Sequence, residues 1–152
     1  MRADPDADLP PPRGCTNLRL RRLTRRVGRD YDECMRRAVD GLTATQFSLL
    51  SAVAHLAPVR QADLAHTLSL EPSTLTRNLR PLLAQGYLRA EPGDDQREHR
   101  LTLTDAGRAK RDEARQAWLQ AQRGLQARLG EQRVARLHAL LDECQALLDD
   151  SQ

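Results

Sequence analysis

No run of apolar residues in this 152-residue chain approaches the ~18–20 needed to cross a membrane. The opening MRADPDADLPPPRG has no apolar stretch of the kind a secretory signal carries. A cytoplasmic protein without membrane contact is the expectation. Lysine is nearly absent, with Lys110 alone against many arginines. Genome base composition can produce that bias, and no function follows from it. Three cysteines, Cys15, Cys34 and Cys144, show neither C-x-x-C spacing nor a metal-finger pattern. The four histidines, His55, His66, His99 and His138, form no i, i+4 pair. Structural zinc is therefore not expected, and neither is any other cofactor. Walker loops, G-x-S-x-G elbows and glycine-rich dinucleotide turns are all missing, so an enzyme is not expected.

What is present suits a helix-rich globular protein: 39% apolar and 30% charged residues. Net charge is only +3, which says little about nucleic acid, but its distribution is uneven. Nine arginines fall between residues 13 and 37, whereas the C-terminal end carries Asp142, Glu143, Asp149 and Asp150. The basic segment reads first as a solvated helix face with local ion pairs, and second as a phosphate-binding surface.

Residues 1–13 read as a disordered, proline-bearing tail. A first helix is expected from about Thr16 to Val39, with Leu20, Leu23, Val27, Tyr31, Cys34 and Ala38 on one apolar stripe. Thr43 is placed as the N-cap of a second helix running to Ala57, whose buried side is Phe47, Leu50, Val53, Ala54 and Ala57. Pro58 ends it.

A helix-turn-helix follows. Residues 61–68 form a short helix, 69–71 a turn, and Pro72 opens a second helix that stops at Gly86. With Leu75, Leu79, Leu82 and Leu83 facing inward, Ser73, Arg77 and Arg80 must point outward, flanked by Thr74 and Thr76. Small hydroxyls near the N-terminus let backbone approach DNA closely and leave the positive helix end open to phosphate. Arginines one turn later reach guanine edges or phosphates. Pro81 interrupts the hydrogen-bond ladder at Arg77, and a bend is expected there.

After this helix, RAEPGDDQREHRLTLTDAG (89–107) reads as two extended segments around a polar tip, Pro92 to Asp95, running into a new helix capped by Thr104. That helix extends to about Leu129. Gly130 separates it from a last one bearing Val134, Leu137, Leu140, Leu141, Cys144, Leu147 and Leu148. Cys34 and Cys144 read as small core residues. The first helix and the last two present more apolar surface than one small domain covers, which points to a homodimer.

The segment from Asp95 to Gly107 fits D-x-R-x-x-x-L-x-L-T-x-x-G at every fixed position, and Gly41-Leu42-Thr43-x-x-Gln46-Phe47 precedes it at the second helix. With the order of helices, this resembles the MarR family of bacterial transcription regulators over about residues 15–150. The fold implied is mainly α, a winged helix-turn-helix with a small β-hairpin wing. Residues 14–40 and 105–152 would form the dimerisation region, around a DNA-binding region at 41–104.

The resemblance further implies a sequence-specific regulator of double-stranded DNA, most simply a repressor, bound to a near-palindromic operator and released by a small-molecule effector. The DNA-contacting set would be Ser73, Thr74, Thr76, Arg77, Arg80, Asp95 and Arg97. Arg97 would enter the minor groove at the wing tip, with Asp95 pre-ordering its guanidinium. No ligand residues carry over. Cys15, near Arg13 and Arg19 at a helix start, is similar in position to the sensing cysteine of a peroxide-responsive branch. That branch supports its thiolate with tyrosines, and this chain has only Tyr31 and Tyr87, so an inert thiol is the simpler expectation. A winged-helix module that binds protein is the remaining alternative.

Overall fold

In a computed structural model, residues 15–93 and 99–150 are described. Six helices and three short strands follow one another: α1 (Thr16–Ala38), α2 (Ala44–Leu56), β1 (Val59–Arg60), α3 (Gln61–Thr67), α4 (Pro72–Ala84), β2 (Leu88–Pro92), β3 (His99–Leu103), α5 (Asp105–Leu129) and α6 (Glu131–Asp149).

Local chemistry accounts for most of the boundaries. Thr43 caps α2 through a reciprocal box: its hydroxyl accepts from Gln46 N–H at 3.2 Å, and Gln46 Oε1 accepts from Thr43 N–H at 2.9 Å. Pro72 stands at the first turn of α4, where its missing N–H is not needed. Gly86 ends that helix in the left-handed region, at φ 69°, and Tyr87 N–H closes back on Leu82 C=O at 2.9 Å. Pro81 sits inside α4 without ending it.

The strands form one antiparallel sheet in the order β1-β3-β2. Leu88 faces Leu103 and Pro92 faces His99 across the hairpin, and Val59 pairs with Leu101 on the other side. The two-residue β1 is not anticipated from the sequence, because a pair of residues is too short to show alternation. Its role is to stitch the start of α3 to the wing.

One core runs through the helices and sheet: Met35, Leu50, Val53, Leu64, Leu75, Leu79, Leu82 and Leu101 are all essentially solvent-free. Several expected positions differ. Met35, not Ala38, is the buried residue near the end of α1. Leu49 joins the core of α2, whereas Ala57 is exposed as the chain leaves the helix. Cys144 is exposed, not a core residue. It lies on α6, where Val134 is the one buried residue. Leu140, Leu141, Leu147 and Leu148 remain 43–67% exposed in the single chain, and Leu20 and Leu23 of α1 are similarly open. The apolar stripe of α6 is present but uncovered.

Candidate nucleic-acid interface

The outward face of α4 follows from its inward one. With Leu75, Leu79 and Leu82 buried, Ser73, Thr76, Arg77 and Arg80 are exposed and Thr74 is half-buried. Glu71 occupies the N-cap without a side-chain cap, and the first turn holds no acid. The amides of the first turn therefore present their N–H groups, and the positive end of the helix dipole, to an incoming anion. Thr76 donates its hydroxyl proton to Pro72 C=O at 2.9 Å, so toward a ligand it offers a lone pair and a methyl group. Among the described residues no carboxylate pairs with Arg77 or Arg80. Within the described residues their guanidinium donors are left for an external acceptor.

The wing is fixed at its base. Arg89 Nε lies 2.9 Å from Glu91 Oε1 and donates to Thr102 Oγ1 at 3.1 Å. Asp95 and Arg97, the tip pair implied by the resemblance, lie outside the described residues. Thr104 joins the wing to both neighbouring helices. Its hydroxyl donates to Gly86 C=O at 2.6 Å and accepts from Gly107 N–H at 3.0 Å, while its N–H donates to Tyr87 C=O at 3.1 Å. One side chain thus caps α5 and satisfies the end of α4.

Between α2 and α5 runs a cleft of about 450 Å³, lined by Phe47, Ser48, Ser51, Arg111, Asp112, Arg115 and Trp118. Its aromatic rings, Phe47 and Trp118, lie 6.1 Å apart, and behind them Tyr31 stands edge-on to Trp118 at 6.4 Å. The Tyr31 hydroxyl donates to Gln122 Oε1. Burial, and secondarily the nearby Cys34, push the Tyr31 phenol above its ordinary pKa. Sequence reasoning missed this cleft, since its walls come from segments about sixty residues apart and no spacing rule links them.

Cys15 is half-buried at the N-cap of α1, where its sulfur accepts from Leu18 N–H at 3.5 Å. No group of three or more histidine, cysteine or acidic side chains suited to a metal ion occurs among the described residues. No helix among them is long and apolar enough to cross a membrane.

Residues 40–98 match the model of the MarR family. The chain is 34% identical to the transcriptional regulator MosR of M. tuberculosis, solved in complex with DNA, with a TM-score of 0.73 over 88% of this chain and 98% of that one. It is 26% identical to the transcriptional repressor CouR, bound to a 23-mer DNA duplex, with a TM-score of 0.77 over 86% of this chain and 92% of that one. A curated relative, the HTH-type transcriptional regulator YwoH of Bacillus subtilis, is 30% identical over 73 residues. The match spans 48% of this chain and about half the length of that relative. The helix order, the sheet and these likenesses agree, and the chain belongs to the MarR family of winged-helix transcription regulators.

Proposed function

We propose that this protein is a dimeric, sequence-specific binder of double-stranded DNA that represses transcription until a small-molecule effector releases it. The observation that carries the reading is α4: an uncapped N-terminus with Ser73, Thr76, Arg77 and Arg80 outward and neither arginine engaged by a described carboxylate. Laid in a major groove, the first turn meets phosphate through its amides, and the arginines one turn later reach base edges or the backbone. Thr74 flanks this surface. By the family resemblance, Asp95 and Arg97 add a contact in the adjacent minor groove. The DNA bound by MosR and CouR in their solved structures supports the same assignment.

Dimerisation is argued from α1 and α6. Burying each exposed leucine of α6 against a second copy recovers on the order of 1 kcal/mol, and the dimerisation segments are then residues 14–40 and 105–152. Two α4 helices in a two-fold dimer would read half-sites about one turn, ~34 Å, apart. The effector is assigned to the cleft between α2 and α5. Its aromatic wall suits a small planar molecule wedged between these helices, with Arg115 placed for an acid group on it, since Arg111 is paired with Asp112 at 2.9 Å.

Selection of binding sites from random duplexes across a salt series tests the proposal. Enrichment of an inverted repeat with half-sites one turn apart, and affinity falling as salt rises, is the expected result. No enrichment at any salt would overturn it. A second reading keeps the fold and replaces the effector with a thiol, carried by the amide hydrogen bond on the Cys15 sulfur. In it the sulfur attacks a hydroperoxide, the O–O bond breaks, and sulfenic acid and an alcohol result. Operator binding that survives peroxide unchanged, with Cys15 unmodified by mass mapping, would eliminate it.

A further inference from the structure

Six arginines occupy residues 16–29, and no acid is among them. At ~100° per residue, Arg22, Arg25, Arg26 and Arg29 share one face of α1, and all four are exposed. Together with Leu23 they bound a groove of about 540 Å³. This arrangement is unfavourable for an isolated helix, because the four stand in i, i+3 and i, i+4 relation, where like charges repel.

The same chain disposes of its other arginines differently. Glu33 is bridged by Arg36 and Arg37 at 2.7 Å each, and those hydrogen bonds, Arg36 first, hold its carboxyl below the ordinary range. Arg128 pairs with Asp30 at 2.6 Å. Among the described residues no ion pair joins Arg22, Arg25, Arg26 or Arg29 to a carboxylate; Arg29 donates its Nε to Arg25 C=O at 3.2 Å and borders a groove with Asp32 and Glu33. The expected solvated face is present along α1, and its described ion pairs fall at residues 30–37.

A second copy does not account for the array. At ~100° per residue the four arginines centre about 140° around the helix from Leu20 and Leu23, with Arg26 the nearest to Leu23 at about 60°, so packing that covers the open leucines leaves Arg22, Arg25 and Arg29 facing out. Nor does the surface that carries α4 reach it. The Arg128–Asp30 pair ties this part of α1 to the far end of α5. At ~1.5 Å per residue that point is about 36 Å along α5 from Thr104 and the wing.

We propose that this arginine face is a second polyanion site that takes the phosphate backbone of a nucleic-acid duplex, separate from the α4 surface. Arg22 to Arg29 spans ~10 Å of helix, enough for these long side chains to reach more than one phosphate of a strand. Guanidinium forks suit phosphate oxygens bidentately. A membrane surface fits less well, because an interfacial helix inserts a continuous apolar face, and in this half of α1 only Leu20 and Leu23 stand open. Bound at both surfaces, the protein would hold two duplex segments together.

The test measures affinity for a short random-sequence duplex in an Arg77→Ala/Arg80→Ala background, which removes the α4 arginines. The proposal expects residual, salt-sensitive binding there. Adding Arg22→Ala, Arg25→Ala, Arg26→Ala and Arg29→Ala should lower it at least ~10-fold and reduce the salt slope by about 2–4. The corresponding four lysine substitutions should restore most of it. Alanine raises helix propensity and removes repulsion, so far-ultraviolet circular dichroism should show the fold retained. No residual binding in the background, or residual binding indifferent to the four substitutions, overturns the site. Anionic phospholipid vesicles bound by this face in place of duplex overturn it in favour of a membrane. Failure of the α4 reading gives a different result: Arg77→Ala/Arg80→Ala would then leave binding to selected sites unchanged.

Discussion

A Cβ at Gly107 would lie 2.0 Å from the Tyr87 carbonyl oxygen and 3.0 Å from Leu103 Cδ2. The backbone at the wing base therefore rests directly on the first turn of α5, and the glycine of the wing pattern is explained by that approach rather than by its φ. Gly107→Ala must push the strand and helix apart. It is expected to destabilise the fold by ~1–3 kcal/mol in denaturant unfolding. Tyr31 supports a second residue-scale expectation. Its phenol is raised by burial and then by Cys34, so the folded state favours the neutral ring. The associated stability is present below the unfolded value of ~10 and is lost as pH rises through the raised folded value. Absorbance titration of phenolate should show a step above the ordinary value that vanishes in Tyr31→Phe, and no step above that value would contradict the assignment.

At the scale of elements, α4 shows how far a local pattern reaches. The leucine spacing, the proline at its start and the glycine past its end mark both its limits and its outward residues, because helix period and cap chemistry act within one or two turns. The capping box of α2 is legible for the same reason. If Arg77 meets a phosphate, Arg77→Ala should weaken binding to all duplexes alike and lower the salt slope by about 1. If it meets a base edge, the loss should be ~1–3 kcal/mol and confined to one operator position. Competition binding against single-base variants separates the two outcomes. The wing is legible only in part. Alternation reveals β3, but β1 acquires its conformation from pairing Val59 with Leu101, a partner more than forty residues away.

For the whole molecule, the uncovered leucines of α6 set the expectation. A chain that buries them against a second copy gains stability with concentration, so the unfolding midpoint should rise as protein is added. Leu141→Glu with Leu148→Glu should place charges in that contact and give a monomer by sedimentation equilibrium, with the α1–α5 core still folded. A monomeric wild type at micromolar concentration would contradict the dimer.

Sequence alone determined the helices, their caps, the outward face of α4 and the family pattern at the wing, since each depends on neighbours within a few positions. Tertiary structure decided the rest. It placed Cys144 in solvent, brought Phe47 and Trp118 to one cleft, and pressed Tyr87 onto Gly107. It also left four arginines of α1 without an ion pair among the described residues. These outcomes depend on which faces meet across tens of residues, and a periodic pattern marks that a face is apolar or charged without stating what covers it.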